Sequence, residues 1–531
     1  MDLGLRARDF SAHYTDDGVC PRHVALSYEN VPHVVALYFV PSSLAGVCAM
    51  WALHALAALA MALGVYTRSA TALVWLLTAS LQWRTPFVLY GADNALRMML
   101  WWAIFLPTAR AASVDAVVAV GKQEAAADGR MQSVLATVAK VAFAVQFVAI
   151  YVMNAVHKDQ REWRDGSAVE VTMHNDEVSR PLGRLLLNAP GVLYALTKFT
   201  WYLEVGGPLL LFVPIKRIHL PLRVLGLALF AALQLGFATC LRLELFPVTM
   251  SVIMIPFIPP EFWNWLASSD PPAVVELHPD TAHAAAATLR LRHALVRPRG
   301  PPLRIKVSTE GAHGLPSSAD AWFWRGVFRL ASAAGPARPS PGRVGACLLT
   351  ALCIFSAVYG ILWNVQTKNP FSTLPREYHW IGQTLVLHQY WGLFAPPPRN
   401  DGWDVFAASL ADGSVQDVFP LLGVTDDAAY LLDYPLTSDK PADVGARMPN
   451  NRWHQYLRQL RRNLYARQPI YEVYSHFFDH VCRAWNSRQL DDARRIKKVT
   501  YIFVEEFTLD EGAPSTWPTH EQQMYTFQCF R

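Results

Sequence analysis

Lys158 follows the apolar run 141–156 and is succeeded by Trp163, Arg164, Asp165 and Gly166. A lysine at the end of a membrane helix ordinarily carries its ammonium out to the headgroups. The sharper alternative is a base. Desolvation and neighbouring cations both disfavour a charged amine, and His157, Arg161 and Arg164 are the cations nearest in sequence. Position alone favours the anchor.

Other polar residues in apolar surroundings raise the same question. Glu204 stands mid-helix ahead of Gly206, Gly207 and Pro208, which are expected to break the helix and open backbone groups to a cavity. Asp93 and Arg97 are four residues apart, so they share a helix face. They read either as an ion pair that fixes helix packing or as a polar wall of the cavity holding Lys158. Lys198, Arg242 and Glu244 fall in the same class. Gln234 is a lone mid-helix amide that can hydrogen-bond but not titrate, and reads as a helix–helix contact. Arg84, with Trp83 and Pro86, is expected in a loop meeting the outer surface. Trp101, Trp102 and Trp201 read as interfacial-belt or packing residues.

The elements that must position these residues are membrane helices. The chain has 531 residues, 52% hydrophobic and 17% charged, and is too apolar for an ordinary soluble protein. A bilayer core needs roughly 20 apolar residues per helix. About eight segments qualify, near 43–65, 69–83, 94–107, 135–157, 192–214, 219–240, 244–259 and 344–364, three of them short. Met1 to Arg22 is charged and lacks the apolar core of a cleavable signal peptide. The expected fold is mainly α: a polytopic membrane helical bundle with a C-terminal α+β extramembrane domain. Its parts are an N-terminal motif (1–33), a membrane core (34–260), a linker (261–343), a final membrane helix (344–364) and the tail (365–531).

The linker is rich in Pro, Ala, Arg and Ser, with one amphipathic helix expected near 320–333. In the tail, 403–419 reads as two strands joined at Asp412-Gly413, 450–486 as helical with a basic face, and 497–509 as a strand. Lysine and arginine are concentrated in the loops 66–68, 108–134, 215–218 and 260–343, which makes that side cytoplasmic and the N-terminal motif, the 158–191 segment and the tail lumenal or exterior. Five basic residues from Lys158 to Arg184 run against this count. The expected location is the endoplasmic reticulum or plasma membrane. Cys482 and Cys529 would lie in the oxidising compartment and are expected to form a disulfide anchoring the chain end. The cysteine and histidine spacings give no metal motif. The net charge of +5 gives no basic stripe among aromatics, so a nucleic-acid partner is not expected; the lipid bilayer is.

Several stretches resemble one known family. They are "RARDFSAHYTDDGVCPR" (6–22), 64–107, "HKDQREWRDGSAV" (157–169), "LQLGFATCLRLELFPVTM" (233–250), "QYWGLFAPPPRNDGWDV" (389–405) and "NRWHQYLRQL" (451–460). In this order they are similar to the horizontally transferred transmembrane (HTTM) family, which includes the vitamin K-dependent gamma-carboxylases. Family members carry a membrane helix upstream of the first stretch, which here starts at Arg6.

The resemblance matches Lys158 to the catalytic base of the carboxylases and Trp163 to the tryptophan that follows it. It implies vitamin K hydroquinone or another lipophilic quinol as cofactor, no metal, and a peptide or protein substrate carboxylated at glutamate. Two departures oppose a full transfer. Pro86 stands where the carboxylases place an assisting histidine ahead of "LYG" (89–91), and the tail has no recognisable counterpart of the animal carboxylases' large lumenal domain. Two readings therefore stand at the level of sequence: a carboxylase-like enzyme, and a relative with another role in peptide modification, maturation or export, or with no catalytic role.

Overall fold

The computed structural model describes residues 2–27, 37–110, 113–116, 129–215, 217–268, 274–277, 304–307, 341–367, 374–465, 471–507 and 519–529. All eight apolar segments are helical: α1 (Leu44–Leu63), α2 (Thr67–Arg84), α3 (Gly91–Phe105), α4 (Gly129–His157), α5 (Pro190–Leu210), α6 (His219–Cys240), α7 (Leu245–Met254) and α8 (Pro341–Gln366). Among the described residues, four stretches are both long and apolar enough to cross a bilayer: 44–63, 133–157, 219–240 and 344–366. The others are shorter or carry the polar residues that serve the interior.

Burial separates the four. Within its membrane-length window α4 is 56% buried by protein, whereas α1 is 17% buried. So α4 is the axis of the bundle, and α1 leaves most of its surface for lipid. Ser43 starts α1 by accepting from the Gly46 N–H at 3.3 Å. Gly64 ends it in the left-handed conformation, φ +69°, which glycine adopts without steric cost. Around α4 the core interlocks aromatic rings: Phe147 lies 4.7 Å from Phe257, and Tyr151 4.4 Å from Phe230.

Helix α5 departs from expectation. It runs unbroken through Gly206 and Gly207, with Pro208 inside its last turn. A proline this close to the end removes a single backbone bond, the one its missing N–H would have given to the Glu204 carbonyl. Gly207 is needed for packing, because a Cβ there would come within 2.9 Å of the Phe230 ring.

The tail folds as an antiparallel sheet of four strands, β1 (Asn400–Leu410), β2 (Val415–Asp417), β3 (Ile496–Phe507) and β4 (Thr519–Gln528), in the order β2-β1-β3-β4. The turn after β1 contains Gly413 at φ +89°. Strand β4 was not foreseen, since "THEQQMYTFQ" has no clean polar–apolar alternation. Two helices, α9 (Asn451–Tyr465) and α10 (Tyr471–Asn486), pack on the sheet. The basic face expected over 450–486 is turned inward in part: Arg452 and Arg461 are buried and ion-paired. Cys482 and Cys529 are joined as a disulfide, with Cα atoms 5.6 Å apart.

Residues far apart in sequence share this second core. Val19, Cys20 and Val24 of the N-terminal segment pack with Phe406, Trp453, Tyr456 and Phe477 of the tail. The 158–191 segment joins them: Glu162 pairs with Arg399 at 2.6 Å, and Arg184 with Asp443 at 3.1 Å. The N-terminal segment, the 158–191 segment and the tail therefore lie on one face of the bundle. In the linker, Val274–Leu277 and Arg304–Val307 pair as parallel strands. The helix expected near 320–333 lies outside the described residues.

Candidate functional site

At the end of α4 the chain turns inward, not out to the headgroups. The Lys158 Nζ lies 2.6 Å from both Glu204 carboxylate oxygens, and both side chains are almost wholly buried. The Trp163 ring covers the ammonium at 4.5 Å. The Trp163 indole in turn donates to the Phe394 carbonyl at 2.9 Å, which fixes the ring from the tail side. Asn154, one turn before Lys158 on α4, donates to Glu204 Oε1 at 2.7 Å.

The neighbour of Lys158 is thus an anion, not the cations expected from sequence. The His157 ring contacts the Met153 carbonyl and Thr367. Arg161 and Arg164 are exposed, because the short helix Arg161–Asp165 turns them outward. Two opposite charges in so dry a place are held by short, charge-assisted hydrogen bonds, and removing either one would strand the other.

Beside the pair lies a chamber of about 260 Å³. Its walls come from Tyr90, Gly91 and Asn94 at the start of α3, Ile150, Tyr151 and Asn154 of α4, and Glu204 of α5. Gln234 and Phe237 of α6, Phe246 and Met250 of α7, and the loop Tyr390–Leu393 complete it. Glu204 and Asn154 face the chamber, and Lys158 stands behind Glu204. Two buried acceptors on the wall, Asn154 Oδ1 and Gln234 Oε1, have no hydrogen-bond partner among the described residues. The bond to the Glu204 carboxylate sets the Asn154 amide so that its oxygen is the free atom. These two atoms can each accept a hydrogen bond from a bound molecule. Asn154 and Tyr151 were missed from sequence, although both lie on the Lys158 side of α4 at spacings of four and seven.

The other expected site residues take different places. Asp93 and Arg97 do not pair with each other. Asp93 accepts the Tyr90 N–H at 3.0 Å at the start of α3, and this turns its carboxylate toward the extramembrane face. There Arg6 reaches it at 2.5 Å and Arg452 at 2.6 Å; Asp2 closes the ring at 2.9 Å from Arg6 and 2.8 Å from Arg452. Arg97 points the other way, to Gln82 Oε1 and to the Val386 and His388 carbonyls.

Arg84 is not at a surface: it is fully buried and donates to the Cys20 carbonyl at 2.6 Å. Asp165 is exposed and accepts from Ser167, away from the chamber. Gln234 lines the chamber and also reaches Tyr151 of α4 at 3.2 Å. Trp101 and Trp102 are buried in the bundle core rather than in a belt. Lys198 donates to the Arg164 carbonyl, Arg242 binds Asp443, and Glu244 accepts the Asn451 N–H. All three brace the extramembrane layer.

That layer holds a second charged cluster. Burial alone would raise Glu177, but Arg461 at 2.8 Å and His454 at 2.7 Å hold it down at about 2. Among the described residues Asp401 has no such cation, and burial first and Glu177 second push its carboxyl up to about 8. Asp176, Asp401 and Glu506 offer carboxylate oxygens within 4.8 Å of one another, a grouping that could hold a cation. The Lys440 ammonium already meets Asp176 at 2.7 Å and Glu506 at 2.6 Å.

No curated protein and no solved structure matches the chain. One family model does, over residues 29–263, a stretch that contains α1 to α7, Lys158 and Glu204. The chain carries an HTTM domain.

Proposed function

We infer that this is a multi-pass membrane enzyme of the gamma-carboxylase type, whose chamber binds a lipophilic quinol and whose Lys158–Glu204 pair takes up its hydroxyl proton. The observation that carries the reading is the buried pair beside two unpartnered acceptors, Asn154 Oδ1 and Gln234 Oε1. A quinol has two O–H donors on an apolar body, which fits a chamber whose walls are mostly apolar and whose buried unpartnered atoms among the described residues are two acceptors. Asn154 and Gln234 would orient the ring, and Glu204 would stand nearest the O–H.

The proton count is consistent. The pair holds one proton at rest. When the substrate O–H gives up its proton to the Glu204 carboxylate, the Lys158 ammonium remains to balance the new oxyanion. Trp163 and the Tyr390–Leu393 loop keep water from competing for the proton. In the carboxylases a bound quinol supplies, with oxygen, the strong base that precedes carboxylation of glutamate. Acid–base residues need geometry first and proton affinity second, and the contacts of Glu204 with both Lys158 and the chamber meet the geometric requirement.

A second reading keeps the chamber and changes the reaction. Pro86 opens a short 3₁₀ turn, Pro86–Val88, and has no proton to give where the carboxylases have a histidine. On that ground the same scaffold would serve another peptide modification, maturation or export step.

Purified protein incubated with vitamin K hydroquinone, labelled bicarbonate and a glutamate peptide tests the first reading. Incorporation of label that Glu204→Gln and Lys158→Met each reduce by about 100-fold or more is expected, since one removes a positioned acid–base group and the other the charge that balances the oxyanion. Full activity in Glu204→Gln would assign the base to Lys158 alone and overturn the shared role. Quinol binding to the chamber without any label incorporation would favour the second reading.

A further inference from the structure

A second cavity lies away from the chamber and shares no residue with it. It measures about 740 Å³ and lies in the seam between the N-terminal segment and the tail, within the roughly 300–1,000 Å³ range of small-molecule sites. We propose that it binds a single-chain anionic amphiphile, a long-chain carboxylate, drawn from the bilayer.

Three observations point to that ligand. The first is the wall. Phe406, Leu421, Leu422, Tyr430 and Trp485 give the interior a mostly hydrocarbon lining. The second is the mouth. Leu44 is a lining residue, is 48% exposed, and is the first residue of α1, a membrane-length helix. The cavity therefore opens where that helix leaves the bilayer, within reach of a lipid tail.

The third is charge. Arg8 lines the cavity, is exposed, and makes no hydrogen bond or ion pair with any described residue. Its acidic neighbour Asp9 is already taken up by the Trp453 indole at 3.0 Å and by Asn450 at 2.8 Å. At the opposite rim Arg483 is bonded to Asp479 at 2.7 Å and to the Asp17 carbonyl at 3.1 Å. Asp17 itself is 92% exposed to water. Among the arginines lining the cavity, Arg8 alone has no hydrogen bond or ion pair with a described residue, its charge meeting only the through-space attraction of Asp9, and a carboxylate head would bond it while the chain fills the apolar wall.

A peptide fits less well. Extended peptides bind chiefly by adding backbone hydrogen bonds to a strand edge. Of the tail's strands only β1 supplies a lining residue, Phe406, and β1 is paired on both sides, by β2 and β3. Recognition falls to side chains, which suits an acyl chain.

The test uses the full chain in its membrane, a photoactivatable 16-carbon carboxylate with a diazirine in its chain, and the matching alcohol. Labelled peptides are mapped by mass spectrometry. Labelling of 418–425 and 481–488 is expected with the carboxylate, competed by oleate. Arg8→Glu and the alcohol should each lower it by about fivefold or more. Val424→Trp, which fills the cavity from its wall, should abolish it. Retention of the Cys482–Cys529 disulfide shows that each variant is folded. Label confined to the membrane helices would overturn the proposal. So would equal labelling by alcohol and carboxylate, or labelling indifferent to Arg8→Glu. Competition by an acidic peptide, with none by oleate, would assign the cavity to a peptide and overturn the proposal as well.

Discussion

Replacing Lys158 by methionine keeps an unbranched apolar chain one atom shorter and removes the charge. What remains is the Glu204 carboxylate, 1% exposed, with the Asn154 amide as its one hydrogen-bond donor among the described residues. Ion-pair attraction at 2.6 Å amounts to about 6 kcal/mol at an effective dielectric of about 20, most of it spent against desolvation of the two charges. Breaking such a pair from one side typically costs about 3–5 kcal/mol, whereas replacing both partners with neutral groups is often close to neutral. Glu204→Gln alone strands the ammonium, and the same penalty applies. The double variant Lys158→Met/Glu204→Gln removes both charges and should return to within about 1–2 kcal/mol of the parent.

Thermal unfolding in detergent, followed by fluorescence-detected gel filtration, measures the cycle. For a chain of this size the single variants should melt a few degrees lower and the double variant close to the parent, at roughly 1 °C per kcal/mol. Under the proposed function turnover should be lost in all three, because each lacks one or both members of the pair, including the double variant whose stability returns. Losses that simply add, to within about 0.5 kcal/mol, would refute the coupling on which the site is built. A double variant as unstable as the worse single would do the same.

Asp93→Asn leaves Arg6 and Arg452 facing each other with Asp2 as their remaining carboxylate among the described residues; it should lower the melting temperature by about 3 °C or more, since it breaks a buried ionic network, and an unchanged melt would count against a closed ring. Asp401 is raised from 3.8 to about 8, so its contribution is fully present below pH 4 and is lost as pH rises toward 8. Asp401→Asn should therefore raise the melting temperature at pH 8 and leave it unchanged at pH 4, and a gain of equal size at both would exclude the titration. Cys482→Ser opens a closure of 47 residues and should cost about 3–5 kcal/mol by the chain-entropy account; non-reducing electrophoresis of the parent, with and without thiol alkylation, shows whether the bond forms in the cell and hence whether the tail meets an oxidising compartment.

The helices were legible because apolar runs dictate them. Each of the eight segments is helical, with ends within a few residues of the hydropathy reading, α4 starting earliest at Gly129. Lys158 stood out because a cation after an apolar run needs an explanation. Its partner could be named as unusual but not joined to it, since a separation of 46 positions between Lys158 and Glu204 carries no periodicity that links them.

The Asp93–Arg97 expectation failed for a related reason. Spacing of four predicts a pair only when no stronger partner is nearby, and Asp93 has two arginines arriving from 87 and 359 residues away. The same blindness hid the inward turn of Arg452 and Arg461, which read only as part of a basic face, while Asp93 and Asp404 stand opposite them.

The Asp2, Arg6, Asp93, Arg452 ring also sets an order of events during synthesis. Asp93 leaves the ribosome 359 residues before Arg452, an interval of about 20–70 s at ordinary elongation rates. Through that interval Asp2, Arg6 and Asp93 carry one surplus negative charge at the mouth of the bundle. The surplus is cancelled only when the helix bearing Arg452 docks. A chain cut short anywhere before that point keeps an uncompensated carboxylate where the finished protein is dry, and water must enter the mouth of the bundle to solvate a charge that the last sixth of the chain removes.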